Sequence, residues 1–220
     1  MIESNSHEEL QFIVVEGPIG AGKTTLARRL AGSFNAELIL EKPEENPFLE
    51  RFYENPEKTA LPAQLAFLLQ RARQLTDIRQ TSLFHAVRIA DFMMEKDRLF
   101  AELNLQNDEF DLYEQLYQKF YQERLVPDLV VYLQASVPVL RKRIAHRGIQ
   151  CEQWIGDDYL RNLNDAYARF FYHYDASPLL IVNSETLDFA NKERDYELLL
   201  SKIHNTRRGR SYFNPISEVL

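Results

Sequence analysis

Eight residues near the start of the chain constrain its fold more than any other segment. Gly17-Pro18-Ile19-Gly20-Ala21-Gly22-Lys23-Thr24 fits the pattern G-x-x-x-x-G-K-[ST]. Glycines at these places let successive backbone N–H groups turn inward around phosphate oxygens. A helix opening at Lys23 would present its positive end to the same anion. Lys23 then reaches the β- and γ-phosphates of a nucleotide, and the Thr24 hydroxyl ligates Mg²⁺, with Thr25 continuing the cradle. By composition alone such a match arises in a chain this long with a probability on the order of 1 per cent. Its placement strengthens it, because an apolar run, Gln11–Glu16, precedes it and a helical pattern follows. Three of the chain's seven glycines also fall between positions 17 and 22.

A strand feeding such a loop predicts an α/β chain, and the rest of the sequence agrees. Further apolar runs of strand length lie at Ala36–Leu40, Ala86–Ala90, Asp128–Gln134 and Leu179–Asn183. Helical patterns separate them: Leu61–Gln80, a helix-rich stretch Met93–Arg124 with Asp108 as an N-cap, Pro138–Arg147, Asp158–Tyr174 and Phe189–His204. Five strands separated by helices imply a parallel sheet covered on both faces. The 220 residues suit one domain, 1–220. The basic run Arg207–Arg210 reads as the start of a solvated tail, from about residue 206 to 220.

Composition excludes several function classes. A single cysteine, Cys151, permits no disulfide framework or Cys-based zinc cluster, and the five histidines lack metal-ligand spacing. The longest apolar runs fall far short of the roughly 20 residues of a membrane span. The polar, acidic Met1–Leu10 is unlike a signal peptide. The expectation is a cytoplasmic protein without a membrane partner. A net charge of −7 argues against a general nucleic-acid partner.

Ligands of open α/β sheets bind at the carboxyl ends of the strands. Glu41 follows the second strand directly, and Asp91 follows the third. Phosphoryl transfer needs a base for the attacking hydroxyl and a cation to take up charge. From position alone either acid fits either role, or each caps a loop. Arg143 and Arg147 lie four apart on a helix ahead of Gly148, where guanidinium groups can close over phosphate as a lid. Gln64 and Arg71 lie seven apart beside the apolar stripe of their helix, about 10 Å along its axis. That position shows an amide and a guanidinium to a crevice, although ordinary boundary polarity places such residues there too.

Taken together, these residues resemble the deoxynucleoside kinase family, from about Phe12 to Ile203. The phosphate loop, with Glu16 before it, is close to the family form E-G-x-I-G-A-G-K-[ST]. The resemblance implies that Glu41, followed by Pro43, is the base for the 5′-hydroxyl, which assigns Asp91 to magnesium. It implies that Tyr53 and Glu152 contact the sugar 3′-hydroxyl, and that Gln64, Arg71 and Asp97 (of the pair Asp97-Arg98) serve the base. Arg143, Arg147, Gly148 and Glu152 match the lid pattern R-x-x-x-R-G-x-x-x-E, and Asp188-Phe189 matches a pair that covers the adenine of ATP. The implied activity is transfer of the ATP γ-phosphate to a small deoxynucleoside. The implied assembly is a homodimer packed through helices, for which the segment between Leu103 and Tyr121 is a candidate.

Two departures stand out. The family's [DE]-R-S after the third strand is here Asp91-Phe92-Met93, so the arginine that steadies the substrate's 5′ end is missing; Arg143 or Arg98 is expected to replace it. Ile149 also occupies the place of a third lid arginine. The resemblance implies that keeping Arg71 and Asp97 disfavours thymidine, and Asn46–Tyr53 resembles bacterial purine deoxynucleoside kinases, so deoxyguanosine or deoxyadenosine is the expected substrate. The alternatives are a thymidylate-type monophosphate kinase and a nucleotide-binding protein without turnover.

Overall fold

The computed structural model describes residues 10–80, 87–122 and 124–215. Its centre is a six-stranded, all-parallel sheet in the order β2-β3-β1-β4-β5-β6. The strands are β1 (Phe12–Glu16), β2 (Glu37–Ile39), β3 (Arg88–Ala90), β4 (Leu129–Gln134), β5 (Leu179–Asn183) and β6 (Arg210–Phe213). Strand order reverses beside β1, the strand that feeds the Gly17–Thr24 loop. That reversal opens a crevice at the carboxyl edge of the sheet.

Parallel strands buried on both faces read as continuous apolar runs, and β1 and β4 show why. Ile13, Val15, Leu129, Val131 and Leu133 face one core with Leu180 and Val182; Val14, Val130 and Tyr132 face the other. The first core is closed by α1 (Lys23–Phe34), α6 (Val137–Arg147) and α8 (Glu193–Asn205). The second is closed by α3 (Pro56–Gln80), against which the short α2 (Leu49–Glu54) packs, and by α4 (Glu95–Asn104), α5 (Asn107–Tyr121) and α7 (Asp157–His173). Each fully buried Leu, Ile or Val contributes about 1.5–3 kcal/mol relative to exposure, so these two layers hold the site's edge rigid. Asp128 adds a polar tie, accepting from the N–H groups of Gln11 and Phe12, each at 2.8 Å.

Several sequence expectations are corrected. There are six strands among the described residues, not five. The extra one comes from the expected solvated tail, because Arg210 begins β6 and its guanidinium donates to the carbonyls of Phe171 and Tyr172, each at 2.9 Å. Those carbonyls end α7 and need donors. The helix expected from Leu61 starts at Pro56 and runs through Pro62. The stretch after β3 divides into α4 and α5, and the Glu109 side chain accepts from the Gln106 N–H at 3.3 Å, so the N-cap is Gln106, not Asp108. The last helix begins at Glu193, leaving Phe189 in the loop before it. Ala86, where the third strand was expected to begin, lies outside the described residues, as do the first nine residues and the last five. No helix among the described residues is long and apolar enough to cross a membrane.

Candidate active site

The loop between β1 and α1 takes the conformation its glycines permit. Gly22 has φ 100°, and a Cβ there would lie 3.0 Å from the Phe189 ring. At Gly17 a Cβ would lie 2.6 Å from the Leu133 carbonyl, so only glycine lets the loop pass this close to β4. The Lys23 ammonium folds back onto the loop, donating to the carbonyls of Gly17 at 2.8 Å and Pro18 at 3.0 Å. Burial, assisted by the nearby Lys96, pushes its pKa down to about 7. An anion in the cradle would restore the charge.

The two strand-end acids meet beside this loop. Asp91 accepts from the Thr24 hydroxyl at 2.5 Å and from the Glu41 N–H at 2.7 Å. One carboxylate thus ties β3, the loop and the end of β2 together. Beneath it lies Glu16, fully buried. Its carboxylate accepts from the N–H groups of Gly17 at 3.1 Å and Met93 at 3.0 Å, and from the Tyr167 hydroxyl at 3.0 Å.

A cavity of about 110 Å³ opens above these groups. Ile19, Gly20, Lys23 and Thr24 line one end, with Glu41 and Asp91. Its other walls are Phe52, Phe67 and Phe100, with Tyr53, Gln64, Arg71, Lys96, Arg147 and Glu152. The chemistry is concentrated at Glu41. One of its oxygens accepts from Arg71, which also donates to Asp97; the other accepts from Lys96 at 2.6 Å. Arg71, Lys96 and Asp97 are all buried, and Gln64 beside them is too. Burial raises the Asp97 carboxyl to about 6 despite the Arg71 and Lys96 charges. Burial also lowers Lys96 to about 8.

At the lid side, Arg147 at the end of α6 ion-pairs with buried Glu152, and Tyr53 faces them, its phenol raised by burial. Arg143 turns the other way. Its guanidinium donates to the Ala21 carbonyl at 3.2 Å and to the Ser184 carbonyl at 2.5 Å, linking the phosphate loop to the end of β5. Phe189 is buried against Gly22, and its carbonyl accepts from Arg29 at 2.8 Å. Asp188 holds its loop, accepting from the Asn191 N–H at 3.2 Å.

The structure therefore gathers Glu41, Tyr53, Gln64, Arg71, Asp91, Arg147 and Glu152 around one cavity with the phosphate loop, and Asp97 behind Arg71. Arg143, Asp188 and Phe189 gather on the loop's far side. Arg98 is a correction: it lies on the outer face of α4, paired with Glu102 at 2.5 Å and Glu114 at 3.1 Å, away from the cavity. Sequence reasoning missed Lys96, and it named Glu16 in the loop motif without giving it a role. A signal for Lys96 was present, since a cation in the first turn of a helix opposes the helix dipole and needs a reason.

Comparison with known proteins fits this geometry. Residues 13–207 match the family model of deoxynucleoside kinases. The chain is 34% identical over 197 residues to a deoxyguanosine kinase of Bacillus subtilis (strain 168), covering 87% of this chain and 95% of that one. It is 28% identical over 213 residues to a deoxyadenosine kinase of Lactobacillus acidophilus, covering 90% and 97%. Among solved structures, a deoxyadenosine kinase from M. mycoides with bound dATP superposes with a TM-score of 0.76 at 28% identity, covering 89% of this chain and all of that one.

Proposed function

The chain belongs to the deoxynucleoside kinase family, and from that premise we propose that it transfers the γ-phosphate of ATP to the 5′-hydroxyl of deoxyguanosine or deoxyadenosine, with Glu41 as the base. The observation that carries this reading is the single cavity that joins the phosphate loop to Glu41 and to the Gln64–Arg71 pair. One end holds a triphosphate; the other, walled by phenylalanines, holds a planar base. In the reaction the 5′-oxygen attacks the γ-phosphorus as its proton passes to Glu41. The bond from that phosphorus to the β,γ-bridging oxygen breaks, and ADP leaves with the electron pair.

Each remaining side chain has a task in this reading. Lys23 and the loop N–H groups hold the β- and γ-phosphates. Thr24 and Asp91, hard oxygen donors in mutual contact, suit Mg²⁺, which keeps several waters and needs only one or two protein oxygens beside the phosphates. Held by these two residues, Mg²⁺ would supply positive charge against the phosphate oxygens. Tyr53 and Glu152 meet the sugar, and Arg147, tied to Glu152, closes over the transferred group. Asp97 fixes Arg71, whose guanidinium, with the Gln64 amide, reads the base edge. Such a buried polar pair rejects bases that leave it unpaired. Phe189 and Asp188 face the nucleotide's adenine, and Arg143 braces the loop from that side. The chain acts in this reading as a cytoplasmic homodimer, for which half-exposed Leu112 on α5 offers a contact.

The test is turnover of each deoxynucleoside in parallel, with thymidine monophosphate as a further acceptor. Fastest ATP- and Mg²⁺-dependent phosphorylation of deoxyguanosine or deoxyadenosine supports the reading. Preference for thymidine or for the monophosphate refutes it.

A further inference from the structure

Lys96 is the buried cation of this site that no motif assigned, and its surroundings give it a task. It sits in the first turn of α4, directly after the buried run Asp91–Met94, with its side chain only 6% exposed. Its backbone is fixed, because the Lys96 N–H bonds to the Met93 carbonyl at 3.3 Å and the Met93 N–H bonds to Glu16 at 3.0 Å. Among the described residues its ammonium donates to one acceptor, Glu41 Oε2, at 2.6 Å. Burying an ammonium is costly unless a partner holds it in good geometry. Here the partner is the carboxylate at the centre of the cavity.

The charges around it show what its removal would do. Glu16 of β1, Glu41 after β2, Asp91 after β3 and Asp97 of α4 are four carboxylates crowded at this edge. The cations facing them are Lys23, Arg71 and Lys96, with Arg147 and its partner Glu152 lining the same cavity. Without Lys96, Glu41 keeps the Arg71 bond to Oε1 and loses the bond to Oε2, so its carboxylate is free to turn. A rotated Glu41 is out of line to take a hydroxyl's proton.

We propose that Lys96 is a positioning residue for phosphoryl transfer: by holding Glu41 Oε2 it keeps the carboxylate turned so that it can take the acceptor's proton. The inference rests on the reading of Glu41 as the base, and it supplies the cation at the acceptor end that neither Arg98 nor Arg143 provides. Lys96 acts through Glu41, so its effect should vanish when Glu41 is already neutral.

Two measurements test this. The first needs no turnover: titrate the Lys96 ammonium by ¹⁵N NMR in the wild type and in Glu41→Gln. Coupling predicts that the Lys96 pKa, near 8 in the wild type, falls in the variant; an unchanged value overturns the pairing. The second is a double-mutant cycle on kcat with Lys96→Gln and Glu41→Gln. Lys96→Gln should lower kcat by roughly 10–100-fold, with nucleoside KM within about threefold, a loss bounded by what general-base catalysis supplies. The same change made in Glu41→Gln should cost less than about threefold. Equal losses in the two backgrounds, or a single variant with wild-type kcat, overturn the assignment. Should Lys96→Gln fail to fold, Lys96→Arg carries the cycle: retained turnover, with any alkaline loss near pH 8 moved upward, is expected, and an unmoved limb counts against it. Wild-type protein that phosphorylates no deoxynucleoside, with the NMR coupling intact, sinks the proposed function and leaves the pairing standing.

Discussion

Replacing Arg71 by methionine should destabilise the protein in a pH-dependent way. The Arg71 side chain is 4% exposed and is held between Asp97, with no exposure, and Glu41. Methionine fills similar space but leaves Asp97 without its cation. Breaking a buried pair from one side costs about 3–5 kcal/mol. For a chain of this length that lowers Tm by roughly 6–20 °C, at about 2–4 °C per kcal/mol. Protonation of Asp97 relieves part of the cost. Its carboxyl titrates near 6 in the fold, against 3.8 when exposed. Folding therefore favours the protonated form, and the stability it carries is lost as pH rises through that window. Without the Arg71 charge, which lowers this pKa, the window extends to higher pH. The Tm loss should then be larger at pH 8 than at pH 6, and Asp97→Asn in the same background should recover at least half of it at pH 8. Thermal melts of the wild type, the single and the double variant at both pH values decide this. A single variant melting within 2 °C of wild type at pH 8, or no recovery in the double variant, would refute the reasoning.

Two further effects follow from side chains at the edges of the same framework. Because Lys23 sits near 7 in the free protein, ATP binding should draw in a proton. Affinity should then weaken between pH 7 and 9 by up to roughly tenfold per unit. Calorimetry in buffers of different ionisation enthalpy measures the uptake, and a flat affinity would contradict it. Arg210→Ala removes the donors that satisfy the last carbonyls of α7, at about 1–2 kcal/mol, or roughly 2–8 °C in Tm, without changing turnover; an unchanged Tm would show those bonds to be idle.

Those contacts also mark where sequence reasoning stops. The phosphate loop was legible because its chemistry needs a fixed local spacing, and Glu41 and Asp91 because strand ends converge in a parallel sheet. Gln64 and Arg71 could be placed on one helix side but not over a cavity, since only the packing of α3 against β2 and α4 decides that. The role of Lys96, though not its oddity in the first turn of a helix, was hidden for the same reason: it comes from a carboxylate 55 residues away in the chain. Arg98, its near neighbour, looked equally basic, and the helical turn of α4 sends the two in different directions. Arg210 read as tail because a four-residue edge strand with an exposed, polar pattern carries little signal.

The central claim is that Glu41 takes the proton of a deoxynucleoside's 5′-hydroxyl. The direct measurement is rapid-quench formation of the 5′-monophosphate from deoxyguanosine or deoxyadenosine by wild type and Glu41→Gln, with ADP followed in parallel. The account predicts one ADP per monophosphate, and a kcat lower by roughly 10²–10⁴-fold in the variant with nucleoside KM within about threefold. A variant within tenfold of wild type, or ADP released without regard to the nucleoside, would contradict it.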